Sequence, residues 1–591
     1  MKGPTLEDQS SGPANTSSPP YAGSSRTLRW FTLRCLHSEP FWWGVCLVSA
    51  IVLVFADRQF LNPDGLSYVE IASSAVRNGP GEFLNGYWSP FYPALLSLAL
   101  LFHPSLHHEV LLFHLVNFLI FVATLCTFHF FLRGWIAHLE QFGPVSQQQK
   151  RAIIPFGYCL FLWFILKSIG VGNLTPDLAV AAVLFLIAGL ICRLAIPGTG
   201  LKHYVVLGLV LALGYYAKAV MFPLELMLLA WLFLFPPCES GGAFRRKLLV
   251  SLSFFLLAAG PLIAALSNRV GHLTYGETGR LNYAWFVNGA PKYSGWTGGA
   301  PVREGIPQHA PRKLIEQPLV LEFDAPVPGS FPLWYDPSYW YAGYKVHFDL
   351  HQQISALRIT LAKYEVIFAQ TAVFFAGAVV LGFLGARRNS LLHTASRVSW
   401  LLVWPLGAVL LYALVHVEAR FLGAYFILGW MTVYGMPGLH LNQRVAGAIC
   451  ATVSGTTAIL FLGYLGVESA RAANDLAHGR QPDYQLVAAS LRDLGARDGD
   501  RLAMVGHESF PLYARYAGTR VVAEIVSPGE FWNLSPDELR AVTERLEQMG
   551  VKAIVANRKP VGLGATGWHD VNTSGQVRYS VLVLGGDSGH K

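Results

Sequence analysis

Charge is scarce in this chain. Only 14% of its 591 residues are Asp, Glu, Lys or Arg, against 53% that are hydrophobic. This composition excludes an ordinary soluble globular protein as well as a disordered one, and it puts most of the chain in lipid. Cysteine is scarce too: Cys35, Cys46, Cys126, Cys159, Cys192, Cys238 and Cys450 lie near the N-terminus, inside apolar runs or in one short basic loop. The long polar segments hold none, so disulfides do not brace them, and no CxxC or Cys/His spacing suggests zinc. Nor is there a concentrated basic stretch. The net charge of +8 is spread through short clusters between apolar runs, where positive charge sets topology and does not bind nucleic acid. A cleavable signal peptide is also missing, because the first apolar run begins near Phe41 and no small-residue cleavage site follows it. That run reads as a retained anchor, and residues 1–38, rich in Ser, Pro and Gly, as a disordered cytoplasmic tail.

What the chain has instead is apolar length. Runs near 41–56, 109–133, 152–168, 177–196, 203–217, 221–236, 247–267, 366–386, 399–415, 420–440 and 445–466 approach the ~20 residues a membrane helix needs, predicting about eleven spans. Phe91 to Phe102, bracketed by Pro90, Pro93 and Pro104, is too short to span and reads as an interfacial or re-entrant helix. Arg26, Arg29 and Arg34 precede the first span. Arg133, Lys150 and Arg151, then Arg193 and Lys202, then Arg245, Arg246 and Lys247, then Arg387, Arg388 and Arg397, and finally Arg444 fall on the same side as they do. The positive-inside rule makes that side cytoplasmic, with the N-terminus inside and the C-terminus outside. A bacterial inner membrane is the expected location.

The opposite face gathers the unusual polar residues. Asp57 and Asp64, with Tyr68, lie in the first outer loop, 57–108; Asp177 opens a span in "NLTPDLAVAAVLF"; Lys218 interrupts "GYYAKAVMFP"; His416, Glu418 and Arg420 sit in "LVHVEARFLGAYF". Each has a plainer reading. An acid in the first turn after Thr175-Pro176 suits the helix dipole, and Lys218 can snorkel to an interface. Asp64-Gly65 resembles a turn, although Tyr68 and Val69–Ala75 predict an amphipathic helix lying on the membrane. His416 and Arg420 are spaced to share one helix face, whereas Glu418 and Arg420 are not, so a continuous helix would not pair those two. His103, His107, His108 and His114 lack a companion carboxylate cluster and read as structural.

Taken in order, "NPDGLSYVEIA", "WSPFYPALLSLALLF", "TPDLAVAAVLF", "GLVLALGYYAKAVMFPLEL" and "VEARFLGAYFILGW" resemble the successive signatures of polytopic GT-C glycosyltransferases. The pattern is nearest the protein O-mannosyltransferase and aminoarabinose-transferase type, and it covers roughly residues 40–470. The resemblance implies a sugar donor carried on polyprenyl phosphate or a similar lipid phosphate, with hexosyl or pentosyl transfer to a lipid, glycan or protein acceptor on the non-cytoplasmic face. It implies Asp64 as general base, Lys218 and Arg420 as cations on the donor phosphate, and Asp177 orienting Lys218 or a sugar hydroxyl, with Asp57, Tyr68, His416 and Glu418 in support. The chemistry requires this set: a carboxylate must take the acceptor proton, and the departing phosphate needs positive charge. Where relatives carry paired acids this chain has Asp64-Gly65, leaving Asp57 as the candidate second acid, and "SPFYP" stands where relatives have adjacent prolines. No resident cofactor is implied, and a divalent metal requirement stays open.

The expected fold is therefore an α-helical polytopic membrane domain over 39–470 with interfacial helices in its first outer loop. A second outer loop, 269–364, carries "GETGRLNYAWFVNGAP" and "FPLWYDPSYWY", whose aromatics suit sugar rings or a packed lid. Beyond residue 480 helix and strand patterns alternate, predicting an extracytoplasmic α/β domain over 480–591. "GLGATG" there has no helix to seat a pyrophosphate and is not a dinucleotide site. The competing classes are a transporter or lipid flippase, and a receptor that uses the outer domain without catalysis.

Overall fold

The computed structural model describes residues 38–585 apart from 103–105, 142–144, 197, 239–240, 294, 299–303, 324–325, 386–397, 436–441, 507–509, 561–566 and 574–575. The expected disordered tail, His103, the Arg387, Arg388 and Arg397 cluster and most of "GLGATG" lie outside the described residues.

Six helices are long and apolar enough to cross a membrane: α1 (Glu39–Ala56), α4 (Leu106–Glu140), α5 (Gln147–Phe161, running on as a π-helical stretch to Ile169), α6 (Asp177–Leu194), α9 (Gly241–Val270) and α15 (Gln443–Ala477). A seventh candidate is a bent pair, α11 (Leu350–Ala369) and α12 (Ala372–Gly385), which meet at 75°. The runs near 203–217, 221–236 and 399–415 appear as the shorter apolar helices α7 (Leu201–Ala217), α8 (Met221–Leu234) and α13 (Trp400–Ala413). The run near 420–440 begins α14 (Ala419–Gly435). Every predicted run is thus helical, but by length and composition the described residues give six or seven candidate spans. The remaining runs form helices of 17 residues or fewer.

α4 packs along α6 at the centre of the helical body. Gly189 lets them close, since a Cβ there would come 2.5 Å from the Phe130 ring. The short helix α3 (Phe91–Leu100) stands where the proline-bracketed run predicts it. The helix after "NPDG", α2 (Pro63–Asn78), forms as predicted, and every residue from Gly65 to Ala75 is buried, packed against α3 and the turn at Pro80–Phe83 and covered by part of the 269–364 segment. Ser67 donates to the Trp334 carbonyl at 2.6 Å, and Glu70 accepts from the Ser330 amide at 2.9 Å.

That outer segment is structured, holding α10 (Thr278–Phe286), β1 (Arg312–Ile315) and β2 (Val320–Glu322). Its two strands belong to a sheet whose other members come from the far end of the chain: β3 (Arg501–Val505), β4 (Arg520–Ile525), β5 (Val551–Asn557), β6 (Trp568–Thr573) and β7 (Gln576–Val583). The strand order is β1-β2-β4-β3-β5-β7-β6, with β3 parallel to both neighbours and the other pairs antiparallel. β3, β4 and β5 read as near-continuous apolar runs because both faces of a central parallel strand are buried. The Ser535–Glu538 capping box starts the helix Pro536–Gln548 that crosses between β4 and β5. Half-buried Arg515, on the short helix Leu512–Tyr516 between β3 and β4, ties this region to the helical body, donating from Nε to Glu109 Oε1 at 2.8 Å and from Nη2 to Ser73 at 2.9 Å.

Candidate functional site

The turn at 170–174 positions Asp64. Asn62 caps α2 from an extended backbone, Pro63 supplies the preset φ of a first helical residue, and Asp64 follows in the first turn, where the helix dipole favours an acid. The Asn62 Oδ1 accepts from the Leu174 amide at 2.9 Å, pressing the helix start onto that turn. Gly65 is what permits the contact: a Cβ there would lie 2.9 Å from Asn62 Oδ1 and 3.0 Å from Leu174 Cβ. A second acid directly after Asp64 has no room, which is the physical reason for the Asp-Gly pair.

Three carboxylates converge on Arg420. Its Nη2 donates to Asp64 Oδ2 at 2.7 Å, its Nη1 to Asp177 Oδ2 at 3.4 Å and its Nε to Glu418 Oε2 at 2.6 Å. Asp177 is buried at the start of α6, its Oδ2 held by the Thr175 hydroxyl at 2.9 Å and its Oδ1 by Lys218 Nζ at 2.7 Å. Lys218 reaches it because the chain breaks there: α7 ends at Ala217, and Lys218 is extended (φ −158°, ψ 126°) before α8 begins. Its ammonium also sits 4.0 Å above the Phe421 ring. Asp64, Asp177, Lys218 and Arg420 thus form one chain of contacts.

Two expectations about the 416–420 segment are corrected. Glu418 does pair with Arg420, and His416 does not share a helix face with it, because α14 starts at Ala419 and residues 416–418 lie outside any helix. His416 instead stacks on Phe286 at 4.0 Å, takes a hydrogen bond from Lys363 at Nδ1 (3.1 Å) and meets Glu418 Oε1 through Nε2 (3.3 Å). Burial pushes the Glu418 carboxyl up, but the His416 hydrogen bond and the Arg420 charge outweigh it and hold Glu418 well below the usual carboxylate range. Glu418 therefore stays ionised at neutral pH, a partner to Arg420 and a poor proton acceptor. Asp57, the candidate second acid, is also corrected: it follows the last residue of α1 and lines a different cleft. The acids that join Asp64 at Arg420 are Asp177 and Glu418.

Two cavities meet at Asp64 and Arg420, which line both. One, of about 260 Å³, also has Tyr68, Trp88, Asp177 and Lys218 in its wall. The other, of about 470 Å³, adds Glu418, Lys292, Tyr293 and Trp334. Tyr68 is buried edge-on against Trp88 (4.9 Å) and Tyr92 (5.2 Å), a rigid aromatic wall. Lys292 was not picked out from the sequence. It directly follows the aromatic stretch of the outer segment, and its ammonium lies within 5.7 Å of the Trp285, Phe286, Tyr293 and Trp334 rings. Charge balance gives it weight. Asp64, Asp177 and Glu418 outnumber Lys218 and Arg420, so Lys292 and Lys363 are needed to make the surroundings attractive to an anion. Among the described residues no group of three or more His, Cys, Asp and Glu side chains is disposed to hold a metal ion, and buried His114 contacts the Phe60 carbonyl at 3.0 Å. A further groove, of about 560 Å³ and walled by apolar side chains, runs along α6 from Ala179 to Leu186, one turn beyond Asp177.

No family model matches the chain and no curated protein matches it in sequence. Solved structures do. The apo crystal structure of ArnT from Cupriavidus metallidurans aligns with a TM-score of 0.53 at 12% identity, covering 94% of this chain and 98% of that one. The same protein bound to undecaprenyl phosphate aligns with a TM-score of 0.50 at 10% identity, covering 95% and 99%. The likeness runs nearly end to end in both, and the chain has the GT-C fold of membrane glycosyltransferases.

Proposed function

We propose that this chain is a membrane glycosyltransferase that moves a sugar, a hexose or a pentose, from a polyprenyl-phosphate-type lipid to an acceptor on the non-cytoplasmic face. The observation that carries the reading is the Asp64–Arg420 pair at the junction of two cavities. A transfer between two substrates needs one base and one cation that both substrates can reach. The fold supports a lipid phosphate donor, since a protein of the same fold binds undecaprenyl phosphate. The apolar groove that begins one turn beyond Asp177 is suited to its tail.

In this reading the donor phosphate enters the smaller cavity beside Lys218, whose ammonium has donors to spare after Asp177, and draws Arg420 toward itself. The Asp64 oxygen released from the guanidinium then accepts the proton of the acceptor hydroxyl or amine as that atom attacks the anomeric carbon. The bond from that carbon to the phosphate oxygen breaks, and Lys218 and Arg420 hold the charge that develops on the leaving phosphate. Asp177 keeps both cations in register. The N-terminus is cytoplasmic, the C-terminal α/β unit lies outside, and no resident cofactor takes part. A transporter or a receptor would not need a base at this position. Asp64→Asn in purified protein, assayed with a labelled polyprenyl-phosphate sugar, separates the classes: transfer is expected to fall by about 10²–10⁴ with expression intact. Full transfer by this variant overturns the proposal, and the glycan lost from a strain without the protein identifies the acceptor.

A further inference from the structure

A cavity of about 860 Å³, larger than either of the two that Asp64 lines, lies elsewhere in the molecule. It is a cleft between the helical body and the sheet, at the top of α1, walled by the outer part of α15 on one side and by the Phe510–Tyr513 segment on the other. Its volume is in the range of roughly 300–1,000 Å³ typical of small-molecule sites. The half-buried Asp57 carboxylate lines this wall, and among the described residues no side-chain hydrogen bond or ion pair holds it. Burial, then the nearby Glu468, push the Asp57 carboxyl up to about 6, against the opposing charge of Arg471.

The wall between this cleft and the Asp64 cavity is thin. Asn173 lines both. Phe510 lines the cleft, and its ring meets Tyr293 at 6.0 Å and Trp334 at 6.1 Å, two residues that line the Asp64 side. A ligand in the cleft is therefore one side chain away from the base. We propose that the cleft binds the inner units of an oligosaccharide acceptor whose terminal hydroxyl reaches Asp64, a step that rests on the glycosyltransferase reading above. The Asp57 carboxylate and the Arg471 guanidinium, set among the rings of Tyr464, Tyr484 and Tyr579, make the wall that a chain of sugars needs: bidentate partners for neighbouring hydroxyls, and flat faces for C–H surfaces. A lipid or an extended apolar peptide would leave those charged groups unmatched.

The test is titration of the full-length protein in detergent, by calorimetry, with glucose, mannose, arabinose and N-acetylglucosamine oligomers of one to five units. At least one series is expected to bind, with affinity rising up to about three units. Asp57→Asn and Arg471→Ala are each expected to weaken that binding about tenfold, a loss near 1.4 kcal/mol. Arg471 is 73% exposed, so its removal leaves folding intact. Asp64→Asn is expected to keep the oligosaccharide affinity while losing transfer, so failure of the enzymatic reading shows in turnover and failure of this inference in binding. Binding by none of the four series, binding independent of length, binding insensitive to both cleft variants, or binding of a Ser/Thr-rich peptide instead each overturns the inference.

Discussion

Asp57 follows the last residue of the first apolar helix and Asp64 lies seven positions on, and the structure treats them in opposite ways. Asp64 is held at 2.7 Å by Arg420, within a network that includes Asp177, Lys218 and Glu418. Asp57 has a guanidinium nearby but no bond to it, and burial raises its carboxyl to about 6. The difference shows that closeness in sequence does not give two acids the same partner: Asp64 has a guanidinium in hydrogen-bond contact, and Asp57 has only the field of one.

The comparison can be broken or sharpened by substitution. The largest effect is expected at Asp64, where Asn removes the proton acceptor and keeps the shape, lowering transfer by about 10²–10⁴ while Asp57→Asn retains a functional Asp64 site. Next is Lys218→Met, which deletes a phosphate donor and releases Asp177. Turnover on a labelled lipid-linked sugar is expected to drop by about 10²–10³. Lys292→Met should be milder, raising the apparent KM for the donor about tenfold and flattening the salt dependence of that KM, since it supplies field and no contact to the acids.

The smallest effect is thermal. Asp57 binds its proton up to about pH 6 in the folded state but releases it near 3.8 when unfolded. The folded state therefore holds the extra proton between those values, and stability is lost as pH rises through that window. Above it the full penalty is present. Asp57→Asn should remove this slope, raising the melting midpoint at pH 7.5 by about 1–3 °C relative to the native chain and leaving it unchanged at pH 4. An unaltered slope would mean that the charged form of Asp57 is not disfavoured by burial.

Most of the helical body is legible in the sequence, because a membrane helix must be apolar over its length and each predicted run is helical. The grouping of Asp64, Asp177, Lys218 and Arg420 is legible too, through the side on which the basic loops put them. The 416–420 segment is misread because periodicity assumes a continuous helix, and α14 begins only at Ala419. That α2 also anchors the outer loop is not legible, because the partners of Ser67 and Glu70 lie more than two hundred positions away. Lys292 is missed since nothing local marks it; its aromatic surroundings include Trp334 from beyond two strands. Nothing in the chain after residue 480 announces that its sheet recruits β1 and β2 from the outer loop.

The sequence by itself determined which runs form apolar helices, since hydrophobic length acts locally and additively. Only the tertiary structure decided which acid holds which cation, and that one aspartate commands two cavities while its neighbour lines a third. Ion pairing falls off within a few ångströms and depends on backbone breaks at Lys218 and Glu418, which are set by packing between distant segments and leave no periodic trace in the chain.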